Sequence, residues 1–233
     1  MMTVSYHQRR SQLQTYFDRT AVEAWARLTS TAPVSRIRAT VRAGRARMGA
    51  TLLGYLPEDL AHSRVLDAGC GTGALSIEAA LRGARVTAVD LSPTLVALGR
   101  DRLPPKSGPG GIEFRVGDMF DPDLGRFDHV IAMDSLIHYQ LHDVVRVLAG
   151  YAPRTEKSIL FTFAPKTPLL TVMWTAGRLF PRKDRAPALE PVSERSLRRC
   201  LAEEPGLAGW RIGRTQRIAS GFYTSHAVEL VKT

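Results

Sequence analysis

The feature that most limits how this 233-residue chain can fold is the run Val65-Leu66-Asp67-Ala68-Gly69-Cys70-Gly71-Thr72-Gly73. A short apolar stretch reaches a lone carboxylate, breaks into three alternating glycines, then enters the helical pattern of residues 74–82. Alternate glycines let the backbone turn sharply and let a ligand lie against it without a Cβ in the way. The helix behind the loop turns unpaired N–H groups and the positive end of its dipole toward that ligand. Such a loop belongs at the carboxyl end of a first parallel strand, where it cradles a nucleotide or nucleoside. Gly69, Gly71 and Ala74 also satisfy the relaxed glycine pattern of a nicotinamide site. Asp67 argues against that occupant, because its charge repels a pyrophosphate and attracts an ammonium or sulfonium. Gly73 is a further glycine that the dinucleotide pattern does not require. The bland alternative is a tight strand-to-helix turn that holds nothing.

The rest of the chain alternates around this loop. Strands are predicted over 64–68, 85–90, 112–116, 127–133 and 158–163, with helices between them. That order means a parallel sheet covered on both faces. Asp90 lies 23 residues beyond Asp67, at the end of the neighbouring strand. An acid there can accept both ribose hydroxyls; its other reading is a capping acid for the helix that Ser92-Pro93 opens. Two helices, 8–28 and 34–54, precede the first strand and part near Pro33. In the second, Val34, Ile37, Val41, Met48 and Leu52 recur at helical spacing, with Arg36, Arg38, Arg42, Arg45 and Arg47 between them. A doubly wound sheet has no interior place for these helices, so residues 1–54 are expected to form an arm over a main domain at 55–233. Residues 104–111 read as a loop. After the fifth strand, the insert 164–192 suits the second wall of a substrate pocket. A helix over 193–203 and two strand-like runs, 210–220 and 223–231, close the chain as a hairpin around Gly221.

Composition narrows the occupants. The net charge of +10 is uneven: residues 1–64 hold 10 basic and 4 acidic residues (+6), 65–149 hold 8 and 11 (−3), and 150–233 hold 14 and 7 (+7). An acidic cradle between basic flanks favours an anionic substrate, a nucleic acid or an acidic membrane surface. The bland reading is a solvated, arginine-rich surface. Two cysteines, Cys70 and Cys200, suggest neither a disulfide framework nor a zinc site, and the six histidines have no metal-ligand spacing. The expected location is the cytoplasm: the first residues have no signal-peptide pattern, and no apolar run nears the ~20 residues that span a bilayer.

Asp67, Gly69, Gly71 and Gly73 together resemble motif I of class I S-adenosylmethionine-dependent methyltransferases. The resemblance becomes narrower along the chain. Tyr16-Phe17-Asp18-Arg19-Thr20 with Trp25, the segment 41–45, Asp134-Ser135-Leu136-Ile137-His138-Tyr139, Phe163-Ala164-Pro165-Lys166-Thr167-Pro168, Leu179-Phe180-Pro181 and Gly221-Phe222-Tyr223 resemble the magnesium-protoporphyrin IX O-methyltransferases, in particular their purple-bacterial branch. That resemblance implies a Rossmann-like α/β fold with a seven-stranded, mostly parallel sheet, a C-terminal antiparallel hairpin, a helical N-terminal arm and an insert after the fifth strand. It implies S-adenosylmethionine as cofactor, S-adenosylhomocysteine as product, and a propionate of Mg-protoporphyrin IX as methyl acceptor.

The implied cofactor residues are Tyr16, Asp67, Ala68, Gly69, Gly71, Gly73, Asp90, Leu91, Asp118, Met119, Asp134 and Leu136. Among them, Asp118 is the acid expected to accept the adenine amine. His138 and Tyr16 are implied at the catalytic position, and His138, Tyr139 and Lys166 at the substrate. No protein-bound metal is expected beyond the magnesium that the substrate carries. A contact with magnesium chelatase and a peripheral seat on the cytoplasmic or chromatophore membrane are implied partners. A nucleic-acid substrate is disfavoured, since Asp134-Ser135-Leu136-Ile137 holds none of the prolines of the base-amine motif. The core motifs alone leave two alternatives: a methyltransferase of another small acid, amine or quinone, and a cofactor-binding scaffold or chaperone for tetrapyrrole enzymes.

Overall fold

The computed structural model describes residues 3–20, 35–103, 109–166 and 189–233. Trp25, Pro33, most of the 104–111 loop, and the 167–188 portion of the insert lie outside them. Seven strands form one sheet: β1 (Arg64–Ala68), β2 (Arg85–Asp90), β3 (Gly111–Val116), β4 (Phe127–Ala132), β5 (Thr155–Phe163), β6 (Trp210–Ser220) and β7 (Tyr223–Lys232). Their spatial order is β3-β2-β1-β4-β5-β7-β6. β1 to β5 are parallel, whereas β7 runs antiparallel to β5 and pairs with β6 as the expected hairpin. The chain moves outward from β1 through β3, then returns to the other side of β1 for β4. The crevice at the carboxyl ends of β1 and β4 is therefore a topological switch point, where open α/β sheets take ligands.

The central strands are near-continuous apolar runs because both of their faces are covered. Helix α1 (Val4–Thr15) continues as a π turn over Tyr16–Thr20, and α2 (Arg36–Tyr55) leads toward β1. The others are α3 (Ala74–Leu81), α4 (Pro93–Asp101), α5 (Leu141–Tyr151) and α6 (Glu194–Glu203). Val144, Val145 and Leu148 of α5 with Leu197 and Leu201 of α6 fill one face of the sheet, and Tyr6 and Leu13 of α1 join that core. Met48 and Leu52 of α2, Ala79 and Ala80 of α3, and Val96 of α4 fill the other. Ser92 caps α4 as expected, its hydroxyl accepting the Leu95 N–H, with Pro93 at the first turn.

Two helix expectations need correction. The first helix starts at Val4 instead of residue 8, because the Thr3 hydroxyl accepts the Tyr6 N–H and caps it there. In α2 the expected apolar stripe is only partly the buried face: Met48 and Leu52 are fully buried and Val41 packs against the core, but Ile37 is 54% exposed, and Gly44, Gly49 and Leu53 are buried as well. Small residues decide the approach, since a Cβ on Gly44 would lie 2.4 Å from the Tyr223 ring of β7.

The far end of α2 is held by one arginine. The Arg214 guanidinium of β6 donates to both Glu229 carboxylate oxygens, at 2.8 and 2.6 Å, to the Gly54 carbonyl at 3.2 Å and to the Tyr55 carbonyl. It also lies over the Tyr55 ring, 4.6 Å from its centroid. A cation that satisfies the last carbonyls of a helix completes its C-terminus. Burial opposes ionisation of Glu229, but the bonds from Arg214 outweigh it and hold the carboxyl below its ordinary range. Arg214→Ala is expected to lower stability by about 1–3 kcal/mol at neutral pH, measured by urea unfolding. The difference should shrink in acid, because the contribution of a depressed carboxylate is lost as pH falls through its folded pKa.

Candidate active site

The glycine loop shapes the floor of the site by what it admits. Gly69 has φ 82°, and a Cβ there would stand 2.4 Å from that of Ser135. Gly73 has φ 75°, and a Cβ there would stand 2.5 Å from the Phe114 ring. Side chains are excluded at both positions by backbone conformation and by contact. The loop is pinned to β2: the N–H groups of Gly69 and Cys70 donate to the Val89 carbonyl at 2.8 and 3.0 Å. The Gly71 N–H donates to one Asp90 oxygen at 2.8 Å, and the Ser92 N–H to the other at 2.9 Å.

A carboxylate offers about four acceptor sites, so Asp90 can take two further donors, the number a vicinal diol presents. Burial raises the Asp90 pKa despite those backbone donors. Asp67 is buried and accepts from the Ser76 hydroxyl at 2.6 Å. Burial pushes it up to about 6, against the Ser76 bond and with a contribution from Asp90, so it still carries its charge at neutral pH. Cys70 is held protonated by burial and by Asp67 and Asp90, which makes it a poor nucleophile.

Asp118 and Asp134, just past β3 and β4, are engaged by the arm helices. Asp118 accepts from the Tyr6 hydroxyl at 2.6 Å and from Arg10 at 2.8 Å, both on α1. Asp134, at φ 53°, pairs with Arg45 of α2 at 2.5 Å. It also accepts from the Thr162 hydroxyl at 3.1 Å, from Tyr223 at 3.0 Å and from Ser225 at 3.2 Å. The 3-10 turn Leu136–His138 carries His138 into the wall, buried, with the Phe17 ring edge-on at a centroid distance of 6.3 Å. Tyr139 is buried and stacks on Tyr6. Tyr16 stands half-buried at the cavity, its phenol pKa raised by burial.

These groups share one cavity of about 1250 Å³, beyond the ~300–1,000 Å³ usual for a single small ligand. Its wall includes Tyr16, Asp67, Gly69, Gly71, Asp90, Leu91, Asp118, Met119, Asp134, His138 and Tyr139. Ala68, Gly73, Leu136 and Lys166 are not among its lining residues. Ala68 and Leu136 are packed into the core behind it, Gly73 makes room for Phe114, and Lys166 points to solvent. Sequence reasoning missed Tyr6, Arg42, Arg45, Ser135 and Tyr223, all on the wall. Arg42 and Arg45 lay within the quoted 41–45 segment, but nothing in their spacing set them apart from the other arginines of α2. Tyr6 stood ahead of the predicted first helix and carried no signal.

A glycine cradle at the first strand, acids at successive strand ends and an antiparallel terminal hairpin define a class I methyltransferase, and a methyltransferase-domain model matches residues 65–155. A model described as the magnesium-protoporphyrin IX methyltransferase C-terminus matches residues 132–232. The magnesium-protoporphyrin O-methyltransferase of Rhodobacter capsulatus is 48% identical over 98% of this chain and 99% of its own. The chloroplastic magnesium protoporphyrin IX methyltransferase of Arabidopsis thaliana is 34% identical over 93% of this chain and 69% of its own. The crystal structure of the Synechocystis magnesium protoporphyrin IX methyltransferase with bound SAH superposes with a TM-score of 0.82, at 28% identity, covering 96% of this chain and all of that one. The chain belongs to the magnesium-protoporphyrin O-methyltransferase family.

The residues present fit S-adenosylmethionine: a cradle that a Cβ would fill, a carboxylate with two acceptor sites to spare, and a buried acid beside it. Gly69→Ala is expected to cost about 1–3 kcal/mol through overpacking against Ser135, read as a lowered melting temperature in the ligand-free protein. A melting temperature equal to wild type would show that Ser135 does not sit on Gly69.

Proposed function

We propose that this chain transfers the methyl group of S-adenosylmethionine to a propionate of Mg-protoporphyrin IX, giving the monomethyl ester and S-adenosylhomocysteine. The observation that carries the reading is the single cavity that joins the acidic glycine cradle to an apolar wall ending at His138. Its size leaves room for a flat macrocycle beside a nucleoside. The described parts of the expected arm, α1 with its π turn and α2, line the cavity, as does Leu189 of the expected insert; residues 21–34 and 167–188 of those segments lie outside the described residues.

When bound, S-adenosylmethionine supplies a methyl group on a positively charged sulfur. The chain's own residues bind, align and desolvate. Asp90 holds the ribose hydroxyls, Asp67 supplies negative charge behind the cradle, and Asp118 faces the adenine amine. Leu91 and Met119 give the purine apolar walls. Tyr16 closes the site from the arm. A propionate, with a pKa near the ~4.3 of glutamate, is already ionised at neutral pH, so no base has to remove a proton. His138 therefore positions the carboxylate, and Arg42 on the cavity side of α2 is placed for a second propionate. Alignment of reacting groups can lower a barrier by ~7–11 kcal/mol, which is where this site gains its rate.

Handover of the macrocycle from magnesium chelatase and a peripheral seat on the cytoplasmic membrane surface complete the reading. The second has structural support. Phe222 at the hairpin tip is 51% exposed, and its neighbour Gly221 lies against Thr40, whose hydroxyl donates to the carbonyl of exposed Ile37. An apolar tip beside the arginines of α2 suits an anionic lipid surface. Among the described residues, no helix is long and apolar enough to cross a membrane.

The deciding experiment titrates Mg-protoporphyrin IX by absorbance and follows ester formation from labelled S-adenosylmethionine. No ester with that substrate, but turnover of a quinone or another small acid, would replace this reading by the alternative. His138→Ala is expected to lower kcat on the order of 100-fold, with a smaller change in KM. An acid limb in the wild-type kcat profile that vanishes in His138→Gln would instead make His138 a base. S-adenosylmethionine affinity is expected to fall severalfold as pH drops through about 6, where Asp67 protonates. In Asp67→Asn the affinity should be lower at neutral pH and nearly flat; calorimetry across that range checks both.

A further inference from the structure

We propose that Tyr6 and Arg10 of α1 are positioning residues for the purine: they fix the Asp118 carboxylate so that it selects a 6-amino over a 6-oxo base. This rests on reading the cavity as an S-adenosyl site. One Asp118 oxygen accepts from the Tyr6 hydroxyl at 2.6 Å and from the Phe120 N–H at 2.9 Å, and the other accepts from Arg10 at 2.8 Å. Of about four acceptor sites on a carboxylate, three are filled and one remains. Tyr6, Asp118 and Met119 all line the cavity, so a purine amine there has one acceptor to meet.

The arm makes that acceptor matter. Tyr6 is fully buried, its ring stacked on Tyr139 at a centroid distance of 4.9 Å and 22°. Burial, then the neighbouring Tyr139 and Asp118, keeps its hydroxyl protonated and therefore donating. The helix is fixed at further points: Ser5 donates to one Asp143 oxygen at 2.7 Å and Thr3 to the other, Arg9 pairs with Glu190 at 2.7 Å, and Leu13 enters the core. Without the arm, Asp118 would face water, and a purine amine would merely exchange one hydrogen bond for another. Beneath the arm the Asp118 side chain is 19% exposed, and a base with an oxygen at C6 turns an acceptor toward that carboxylate in place of the amine donor, a mismatch that discriminates between ligands. Tyr6 and Arg10 touch neither reacting atom; they act through Asp118.

The test compares S-adenosylhomocysteine with S-inosylhomocysteine, its 6-oxo analogue, by calorimetry on the full chain. The wild type is expected to prefer the amino compound by about tenfold or more, as one hydrogen bond to a charged acceptor allows. In Tyr6→Phe, which keeps the stacked ring, and in Arg10→Met, the preference should fall to within about threefold, through weaker binding of the amino compound. KM for S-adenosylmethionine should rise while kcat at saturation stays near wild type. Arg10→Lys should restore part of the preference. A preference unchanged in both variants overturns the inference. Equal wild-type affinity for the two compounds overturns it too, yet leaves the methyltransferase reading standing. If the wild type binds neither compound, the inference and that reading fail together.

Discussion

Four carboxylates stand at the carboxyl edge of the parallel strands, and how each is compensated organises the molecule. Asp67 and Asp90 are backed by their own surroundings: a serine hydroxyl for the first, and two backbone N–H groups of the glycine loop and α4 for the second. Asp118 and Asp134 also take cations and hydroxyls from outside the parallel core, Asp134 in addition to the Thr162 hydroxyl of β5. Tyr6 and Arg10 reach Asp118 from α1, and Arg45 reaches Asp134 from α2. A buried charge without such partners is costly, so the same edge that prepares the nucleoside site also calls the arm helices onto it.

This division gives the fold two kinds of attachment. The sheet and α3 to α6 are held by two apolar cores, one on each face. The arm helices are attached unequally: α2 enters its core through Met48, Leu52 and Leu53, whereas α1 enters the other through Tyr6 and Leu13 and otherwise depends on ion pairs and hydrogen bonds. A lightly packed segment such as α1 lies nearer the low-stability end of a native structure than the sheet does. A site that must admit a large planar substrate and then exclude water is served by walls held in this way.

The parallel core was legible because its signals are local. Alternating glycines, an acid in or just past the first four parallel strands and Ser92-Pro93 mark the backbone locally, and the strand bounds followed within a few residues. Gly221 announced the hairpin for the same reason. The arms were less legible because their contacts are non-local. Gly44 is buried because Tyr223 presses on it from 179 residues away, and no periodicity encodes that, so Ile37 was expected inside and stands outside. Tyr6 and Arg10 matter only because β3 ends beneath them. Ala68 and Leu136 sit within the quoted motifs but turn into the core, since a motif marks a segment and not the side on which each side chain falls. The family itself was readable from short aromatic and proline-containing strings dispersed along the chain, which the core pattern alone would not have separated from other methyltransferases.

Central to the account is the proposal that Asp90 serves the nucleoside, while Asp134, implied by the resemblance as a cofactor residue and present on the cavity wall, serves mainly to hold the arm through Arg45. Calorimetric titration of S-adenosylhomocysteine into wild type, Asp90→Asn and Asp134→Asn tests it directly. Wild type should bind one equivalent, Asp90→Asn should bind about tenfold or more weakly, and Asp134→Asn should stay within about threefold of wild type. Wild-type affinity in Asp90→Asn, with binding abolished in Asp134→Asn, would contradict the account.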